Sequence, residues 1–268
     1  MKTTLLIDGD VLAYKIGRAV ETPINWGDDD WTLHADAREA CQRMDSEISS
    51  LRSTLRADEV RVALSCKTDE GFRKQLCPTY KANRKNSRKP VCHQALRSHL
   101  VDSYGAIQRP GLEADDILGI LATEEHVGER IIVSLDKDFR GVPCNFYNPN
   151  HPDDGVVTIT EEEAIKFHAL QTLMGDAVDG YTGIPGVGPK KAEKILAGVQ
   201  PKDYWRTIVG AYDKAGLSEE VALTNARLAR ILQSGDYDKA TGKIILWTPP
   251  SFHRTAKSSS KTKKRGSA

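Results

Sequence analysis

The chain has 268 residues, of which 39% are hydrophobic, and its 38 basic and 37 acidic residues leave a formal net charge of +1. This length is enough to bury the core of one large domain or two modest ones. No stretch approaches the run of about eighteen apolar residues that a membrane span needs, and the apolar run at the start is too short for a signal peptide. The five cysteines show no CxxC spacing. We therefore expect no membrane partner, no disulfide framework and no zinc site, and a reducing compartment such as the cytoplasm.

Buried strands and amphipathic helices alternate along the first half of the chain. The run TTLLIDGDV predicts a strand that ends at Asp8, and apolar residues at helical spacing predict a helix over 35–56. EVRVALS (59–65) predicts a second strand, DDILGILATEEH a helix, and RIIVSLD (130–136) a third strand that again ends in an acid. This alternation predicts an α/β fold with a parallel sheet, in which ligands collect at the carboxyl ends of the strands.

Charge is segregated along the chain in spite of the small net value. Between Arg73 and Val101 there are eight basic residues and no acid, and the segment from Ser251 onward also carries only basic charges. The weak periodicity of 73–97 predicts an exposed basic arm, and the composition of the tail predicts disorder. Such segregation suits a protein that holds cations at one place and polyanions at another.

The character of the chain changes after the Pro-, Asn- and Asp-rich stretch 143–155. Thr160 and Glu163 fit a capping box that opens a helix. The motif GIPGVGPKKAEKILAG predicts glycine turns followed by a helix with Pro189 near its start and Gly198 at its end. We therefore predict three parts: an α/β domain over 1–157, a helical region over 158–248 and a basic tail over 249–268.

Acidic residues recur directly after the predicted strands and at helix ends. They fall into four groups: Asp8 with Asp10, Glu113 with Asp115 and Asp116, Asp136 with Asp138, and Asp176 with Asp179. In a parallel sheet the first three groups meet at one edge, where neighbouring carboxylates raise one another's pKa. Mg²⁺ or Mn²⁺ relieves this repulsion, and two such ions about 3.5–4 Å apart can hydrolyse a phosphodiester. Each group alone is equally compatible with helix capping or an exposed turn, and only their recurrence on one sheet favours metal.

Two further motifs have side chains suited to a nucleic-acid backbone. The glycine turns of GIPGVGPKK leave backbone N–H groups free at a helix start, with Lys190 and Lys191 just beyond. The basic run FRKQLCPTYKANRKNSRK places Tyr80 beside Lys81 and Arg84, which permits base stacking as well as phosphate contact. The alternatives are a tight connection between two helices for the first motif and a solvated surface for the second.

The motifs IDGD, FR…PTYKANRK, EADD, SLDKDF and LMGDAVDGYTGIPGVGPKKAEKIL together resemble the flap endonuclease and 5′→3′ exonuclease family. The version is similar to small bacteriophage exonucleases and to the nuclease domain of bacterial DNA polymerase I, from about Thr4 to about Gly198. The resemblance implies a PIN-like nuclease domain with a helical arch and a helix–three-turn–helix DNA-binding element. It also implies divalent-metal-dependent cleavage of DNA, or of RNA–DNA hybrids, at 5′ ends or flaps. We expect a monomer, in the host cytoplasm if the protein is phage-encoded.

The resemblance also implies roles for individual residues. The ligands of two divalent cations, Mg²⁺ or Mn²⁺, would be Asp8, Glu113, Asp115, Asp116, Asp136, Asp138, Asp176 and Asp179. Lys81 matches the arch lysine that contacts the scissile phosphate, Arg84 is its helper, and Tyr80 would stack near the reacting nucleotide. The remaining DNA-binding residues would be Arg73, Lys85, Gly186, Gly188, Lys190 and Lys191, the last four forming a hairpin whose backbone carbonyls bind a monovalent cation such as K⁺.

One departure from the family pattern and two rival functions leave alternatives open. Position 66 holds cysteine where the family usually has Asp, so either Asp69 replaces that ligand or one ligand is missing. Asp10 matches no assigned family ligand. The motifs DGDV and GDAVD also resemble haloacid-dehalogenase-type phosphatases, although Leu12 stands where that family wants Thr or Val. The second rival is a non-catalytic DNA-binding relative.

Overall fold

The computed structural model describes residues 2–250, apart from the side chains of Thr68, Lys85 and Asn86. Of the basic tail predicted over 249–268, residues 251–268 lie outside the described residues. Within them, the strands are β1 (Thr3–Asp8), β2 (Thr22–Asn25), β3 (Trp31–His34), β4 (Glu59–Ala63), β5 (Glu129–Val133), β6 (Cys144–Tyr147), β7 (Val157–Ile159), β8 (Gly175–Asp176), β9 (Tyr181–Thr182), β10 (Tyr237–Asp238) and β11 (Lys243–Ile244). The helices are α1 (Gly9–Ala19), α2 (Ala37–Thr54), α3 (Phe72–Leu76), α4 (His93–Tyr104), α5 (Ala114–Thr123), α6 (Glu161–Met174), α7 (Pro189–Leu196), α8 (Tyr204–Lys214) and α9 (Glu219–Ala229).

The central sheet has five strands in the order β4-β1-β5-β6-β7. β1 pairs in parallel with β4 and β5, and β5 pairs in parallel with β6. Only β7, at the edge, runs antiparallel to its neighbour. The predicted α/β fold with a mostly parallel sheet is thus confirmed, and the three predicted strands are its neighbouring members β4, β1 and β5.

Both faces of the sheet are covered by apolar clusters, as expected for parallel strands. Along β1 the side chains alternate, so Leu5 and Ile7 join the cluster with α1, α2 and α4, while Leu6 joins the cluster with α5. A third cluster holds α6, α7, α8 and α9 together. The capping box predicted for α6 is present, because Thr160 and Glu163 bond to each other's backbone N–H groups. The predicted domain boundary near 157 remains a prediction.

The basic segment 73–97 differs from the predicted exposed arm. It is built from α3, a short 3₁₀ turn at Ala82–Asn86 and the start of α4, and Tyr80, Cys92 and Leu96 within it are buried. The apolar residues spaced among its basic ones pack against the rest of the protein, which the weak periodicity did not indicate. The hairpin of β2 and β3 was also not predicted. No helix among residues 2–250 is long and apolar enough to cross a bilayer.

Candidate active site

The carboxyl ends of β1 and β5 open into a cavity of about 260 Å³. Asp8 ends β1, Asp136 and Asp138 follow β5, and Asp115 lies in the first turn of α5. Asp176 and Asp179 arrive from the region after α6. The acidic side chains that line this carboxylate cavity are Asp8, Asp10, Glu113, Asp115, Asp136, Asp138, Asp176 and Asp179. The structure therefore brings together seven of the eight predicted metal ligands.

Backbone and hydroxyl donors fix the orientation of several of these carboxylates. Asp8 Oδ1 accepts the N–H of Val11 at 3.0 Å, and Oδ2 accepts the hydroxyl of Ser134 at 3.0 Å. Asp136 Oδ1 accepts the N–H of Asp138 at 2.8 Å. Sequence reasoning did not identify Ser134, although it directly follows β5 in the motif SLDKDF.

Burial in the cavity raises the pKa of four carboxyl groups, those of Asp8, Asp115, Asp138 and Asp179. Burial raises the pKa of Asp8 to about 6, with a further contribution from the charge of Asp136. Burial together with Asp136 and Asp176 raises the pKa of Asp138 to about 7. Burial and the charges of Asp8 and Asp136 also raise the pKa of Asp115 well above its usual range. This is the pattern expected where carboxylates crowd together without a cation.

Lys81 and Arg84 supply positive charge to one side of the cavity. The ammonium group of Lys81 donates to both oxygens of Glu113, at 2.9 and 3.0 Å, and Arg84 donates to Asp179. Burial alone would raise the pKa of the Glu113 carboxyl, but Lys81 and Arg73 outweigh it and lower that pKa. Both predicted catalytic cations thus lie beside the carboxylates, at the mouth of the cavity.

The backbone at Lys81 is held in an uncommon conformation. Its φ is +52°, in the left-handed region, and its N–H donates to the carbonyl of Asp179 at 2.7 Å. Gly180, with φ +78°, packs so closely against the carbonyl of Thr79 that a Cβ would lie 2.9 Å from it. Strain of this kind persists only where surrounding contacts impose it, and it often accompanies functional sites. The contacts fix Lys81 relative to the loop that carries Asp176 and Asp179.

Asp116 and Arg73 occupy a different place from the one predicted. Asp116 is fully buried and does not line the cavity. It forms a bidentate ion pair with Arg73, in which both guanidinium N to carboxylate O distances are 2.7 Å. Arg73 is 4% exposed and also donates to the carbonyls of Leu228 and Arg230. The predictions of a metal ligand at Asp116 and a DNA contact at Arg73 are therefore wrong, because each residue neutralises the other in the protein interior.

Tyr80 also differs from its predicted role. Its side chain is 4% exposed, and its hydroxyl donates to Glu113 at 3.2 Å and to Asp179 at 3.1 Å. Its ring lies 6.4 Å from that of Tyr181. The ring is therefore not available for stacking on a base, and the hydroxyl instead orients two carboxylates of the cavity.

The predicted hairpin lies apart from the carboxylates, before α7. Gly186 has φ +72°, Gly188 caps the helix, and Lys190 and Lys191 are exposed in its first turn. Lys191 donates to the Gly186 carbonyl at 2.8 Å. The backbone of Lys85 lies in the short 3₁₀ turn, and its side chain is outside what the structure describes. The DNA-binding roles of these residues remain predictions.

A basic cleft of about 860 Å³ adjoins the carboxylate cavity and shares Lys81, Arg84 and Glu113 with it. The other cations that line it are Lys67, Lys74, Arg88, Lys89 and Arg97. Sequence reasoning recognised the basic run but assigned no role to any of these five residues. Asp69, proposed as a substitute ligand, lines this cleft and not the carboxylate cavity.

The side chains that line the cavity are of the type that holds a hard divalent cation. Asp138 Oδ1 is buried and has no hydrogen-bond partner among the described residues, as expected of an oxygen that serves an ion. Among residues 2–250, no three acidic, His or Cys side chains stand in an arrangement that could hold a metal ion. Glu113 and Asp179 are paired with Lys81 and Arg84 instead. Carboxylates are the side chains that Mg²⁺ and Mn²⁺ prefer, so the chemistry of the cavity suits these ions.

We expect Asp138→Asn to stabilise the protein at pH 8 in EDTA, and the gain to shrink as the pH is lowered to 5. The folded-state pKa of Asp138, about 7, lies above the ordinary value, so the folded state loses stability as pH rises through that value. An uncharged Asn avoids this loss. Thermal unfolding of both proteins across this pH range measures the difference, and equal melting temperatures at pH 8 would contradict the assignment.

Comparison with known proteins gives consistent results. Residues 3–162 match the family described as 5'-3' exonuclease, N-terminal resolvase-like domain. An exodeoxyribonuclease of Enterobacteria phage T3 is 30% identical over 286 aligned positions, which cover 93% of this chain and 94% of the relative. An exonuclease of Escherichia phage T7 is 31% identical over 284 positions, which cover 92% and 94%. The phage T5 D15 flap endonuclease, solved with DNA and metal ions, shares the fold, with a TM-score of 0.57 at 17% identity over 85% of this chain and 89% of the other.

Proposed function

The chain belongs to the 5′-3′ exonuclease family of DNA nucleases, and from this premise we propose that it is a divalent-metal-dependent 5′→3′ exonuclease and flap endonuclease that uses two metal ions. The observation that carries the proposal is the convergence of seven predicted ligands on one cavity, with Lys81 and Arg84 at its edge. The T5 flap endonuclease, solved with DNA and metal ions, supports the same substrate and cofactor class.

The ligands proposed for the divalent ions are Asp8, Glu113, Asp115, Asp136, Asp138, Asp176 and Asp179. When bound, Mg²⁺ or Mn²⁺ would activate water and neutralise charge on the phosphodiester. The protein orients these carboxylates through Ser134, through backbone N–H groups and through the hydroxyl of Tyr80. The raised pKa values of Asp8, Asp115 and Asp138 reflect burial and mutual repulsion, and a cation that enters the cavity would relieve this repulsion.

Lys81 and Arg84 are proposed to stabilise charge on the phosphate as the bond breaks. Both reach the cavity mouth from the segment that also lines the basic cleft. Their guanidinium and ammonium groups are already oriented by Glu113 and Asp179, so little reorganisation is needed when a phosphate arrives. The DNA duplex is proposed to bind at the hairpin, where the exposed lysines Lys190 and Lys191 suit a phosphate backbone. A monovalent cation such as K⁺ at the carbonyls of this hairpin is part of the same proposal.

One assay tests the proposal. Substrates with a 5′ label, namely a flap, a blunt DNA duplex and an RNA–DNA hybrid, are incubated with the protein in Mg²⁺ or in EDTA. We expect cleavage of the DNA substrates in Mg²⁺ alone, and the hybrid shows whether RNA is also a substrate. The absence of Mg²⁺-dependent cleavage of any substrate would reject the proposal, and hydrolysis of p-nitrophenyl phosphate without nuclease activity would revive the phosphatase alternative.

We expect Lys81→Ala to lower the single-turnover rate by about 10²–10³-fold while changing the affinity for DNA by less than about threefold. The ammonium group acts on charge that develops in the transition state, so its loss affects the rate more than binding. Rate and affinity are measured on the same flap substrate, and Lys214→Ala, at an exposed lysine of α8, is the control. Equal losses in rate and binding would show that Lys81 serves only to hold DNA.

A further inference from the structure

The side of the carboxylate cavity formed by the end of β4 lacks an acid of its own. β1 and β5 are followed by Asp8, Asp136 and Asp138, and α5 contributes Asp115, but β4 is followed by Ser65 and Cys66. Cys66 does not line the cavity, and its thiol contacts the carbonyl of Lys67 at 3.4 Å. A cation near β4 would therefore meet no carboxylate from that strand.

Asp10 reaches this side of the cavity from α1. Its Oδ2 accepts the N–H of Ser65 at 2.7 Å, so the carboxylate is attached to the end of β4. Its Oδ1 forms an ion pair with Arg97, which also donates to the carbonyl of Ser65 at 2.8 Å. Asp10 lines both the carboxylate cavity and the basic cleft. Asp69, in contrast, is exposed and lines only the cleft.

We propose that Asp10 supplies the carboxylate on the β4 side of the cavity and helps to hold one of the divalent cations there. The inference rests on the proposed function of the site. Ser65 and Arg97 each use one acceptor position of the carboxylate, and a carboxylate has about four, so both oxygens retain capacity for a cation or its hydration shell. The ion pair with Arg97 and the bond from Ser65 hold Asp10 in place beside the cavity.

Mn²⁺ binding to the DNA-free protein, measured by isothermal titration calorimetry, tests this role without relying on activity. We expect Asp10→Asn to weaken one Mn²⁺ site by about tenfold or more, within the 10–100-fold range for residues that orient metal ligands. Asn has the same shape and can still accept the N–H of Ser65. Asp69→Asn, the matched control at the other candidate acid, is expected to bind Mn²⁺ like the wild type.

A conservative variant separates a role at the cation from a purely structural one. Asp10→Glu keeps a carboxylate at the position that lines the cavity, so it should retain most of the Mn²⁺ affinity that Asp10→Asn loses. Unchanged Mn²⁺ binding by Asp10→Asn, or a loss of Mn²⁺ affinity in Asp10→Glu as large as that in Asp10→Asn, would overturn the inference alone. No Mn²⁺ binding by the wild type would overturn the proposed function along with it.

Discussion

Replacing Asp115 by Asn is expected to lower DNA cleavage by about 10³-fold while raising the melting temperature of the protein in EDTA. Asp115 lies in the cavity between the charges of Asp8 and Asp136, and its raised pKa shows that the folded state disfavours its ionised form. An uncharged Asn removes that repulsion, so the metal-free protein gains stability as it loses a proposed ligand. Single-turnover cleavage of a labelled flap and thermal unfolding in EDTA measure the two effects.

The opposite signs of the two effects make this prediction specific to a cation site. A residue that merely caps α5 would lower stability when replaced, and would leave cleavage nearly unchanged. The variant should also bind DNA as the wild type does in Ca²⁺-free, EDTA-containing buffer, because Asp115 lies inside the cavity and not on the exposed hairpin. Asp153→Asn, at an exposed acid, is the control. Retained cleavage by Asp115→Asn would count against the two-metal proposal.

Local sequence signals predicted the central fold well. The apolar runs before Asp8 and Asp136 gave β1 and β5, and the Thr160–Glu163 capping box gave the start of α6. These features depend on neighbouring residues, so the sequence around each is sufficient to predict it. Parallel pairing then required that acids after β1 and β5 meet at one edge, which explains why most of the cavity could be predicted.

The wrong assignments all involve partners that are distant in sequence. Asp115 and Asp116 are adjacent in an acidic run, but successive helix residues point in different directions, and only the fold shows that Asp116 meets Arg73. The burial of Tyr80 depends in the same way on the loop that carries Asp179. Asp10 was left unassigned because its contact with Ser65 depends on the pairing of β1 with β4. Motif reasoning identifies the residue types of such a site but not which neighbour each one faces.

Asp116→Asn is expected to lower the free energy of unfolding by about 3–5 kcal/mol, the range for removing one partner of a buried ion pair. Arg73 would then remain buried with Glu113 at 3.4 Å as its nearest acid, and the carboxylate to which both of its terminal nitrogens donate would have lost its charge. Asp116 also accepts the N–H of Leu232 at 3.1 Å, so it links α5 to the segment after α9. Urea unfolding measures the loss.

The exposed pair of Arg206 and Asp203 is the matched control, because its side chains are 68% and 35% exposed. Asp203→Asn should cost less than about 1 kcal/mol, since solvent screens such pairs.

Mn²⁺ affinity measured at a temperature where Asp116→Asn is folded should stay within about threefold of the wild type, because Asp116 does not line the cavity. A variant that keeps its stability but loses Mn²⁺ binding would return Asp116 to the ligand set. The adjacent acids at the start of α5 thus have different roles. Asp115 lines the cavity proposed for the cations, and Asp116 stabilises the helix on which Asp115 lies.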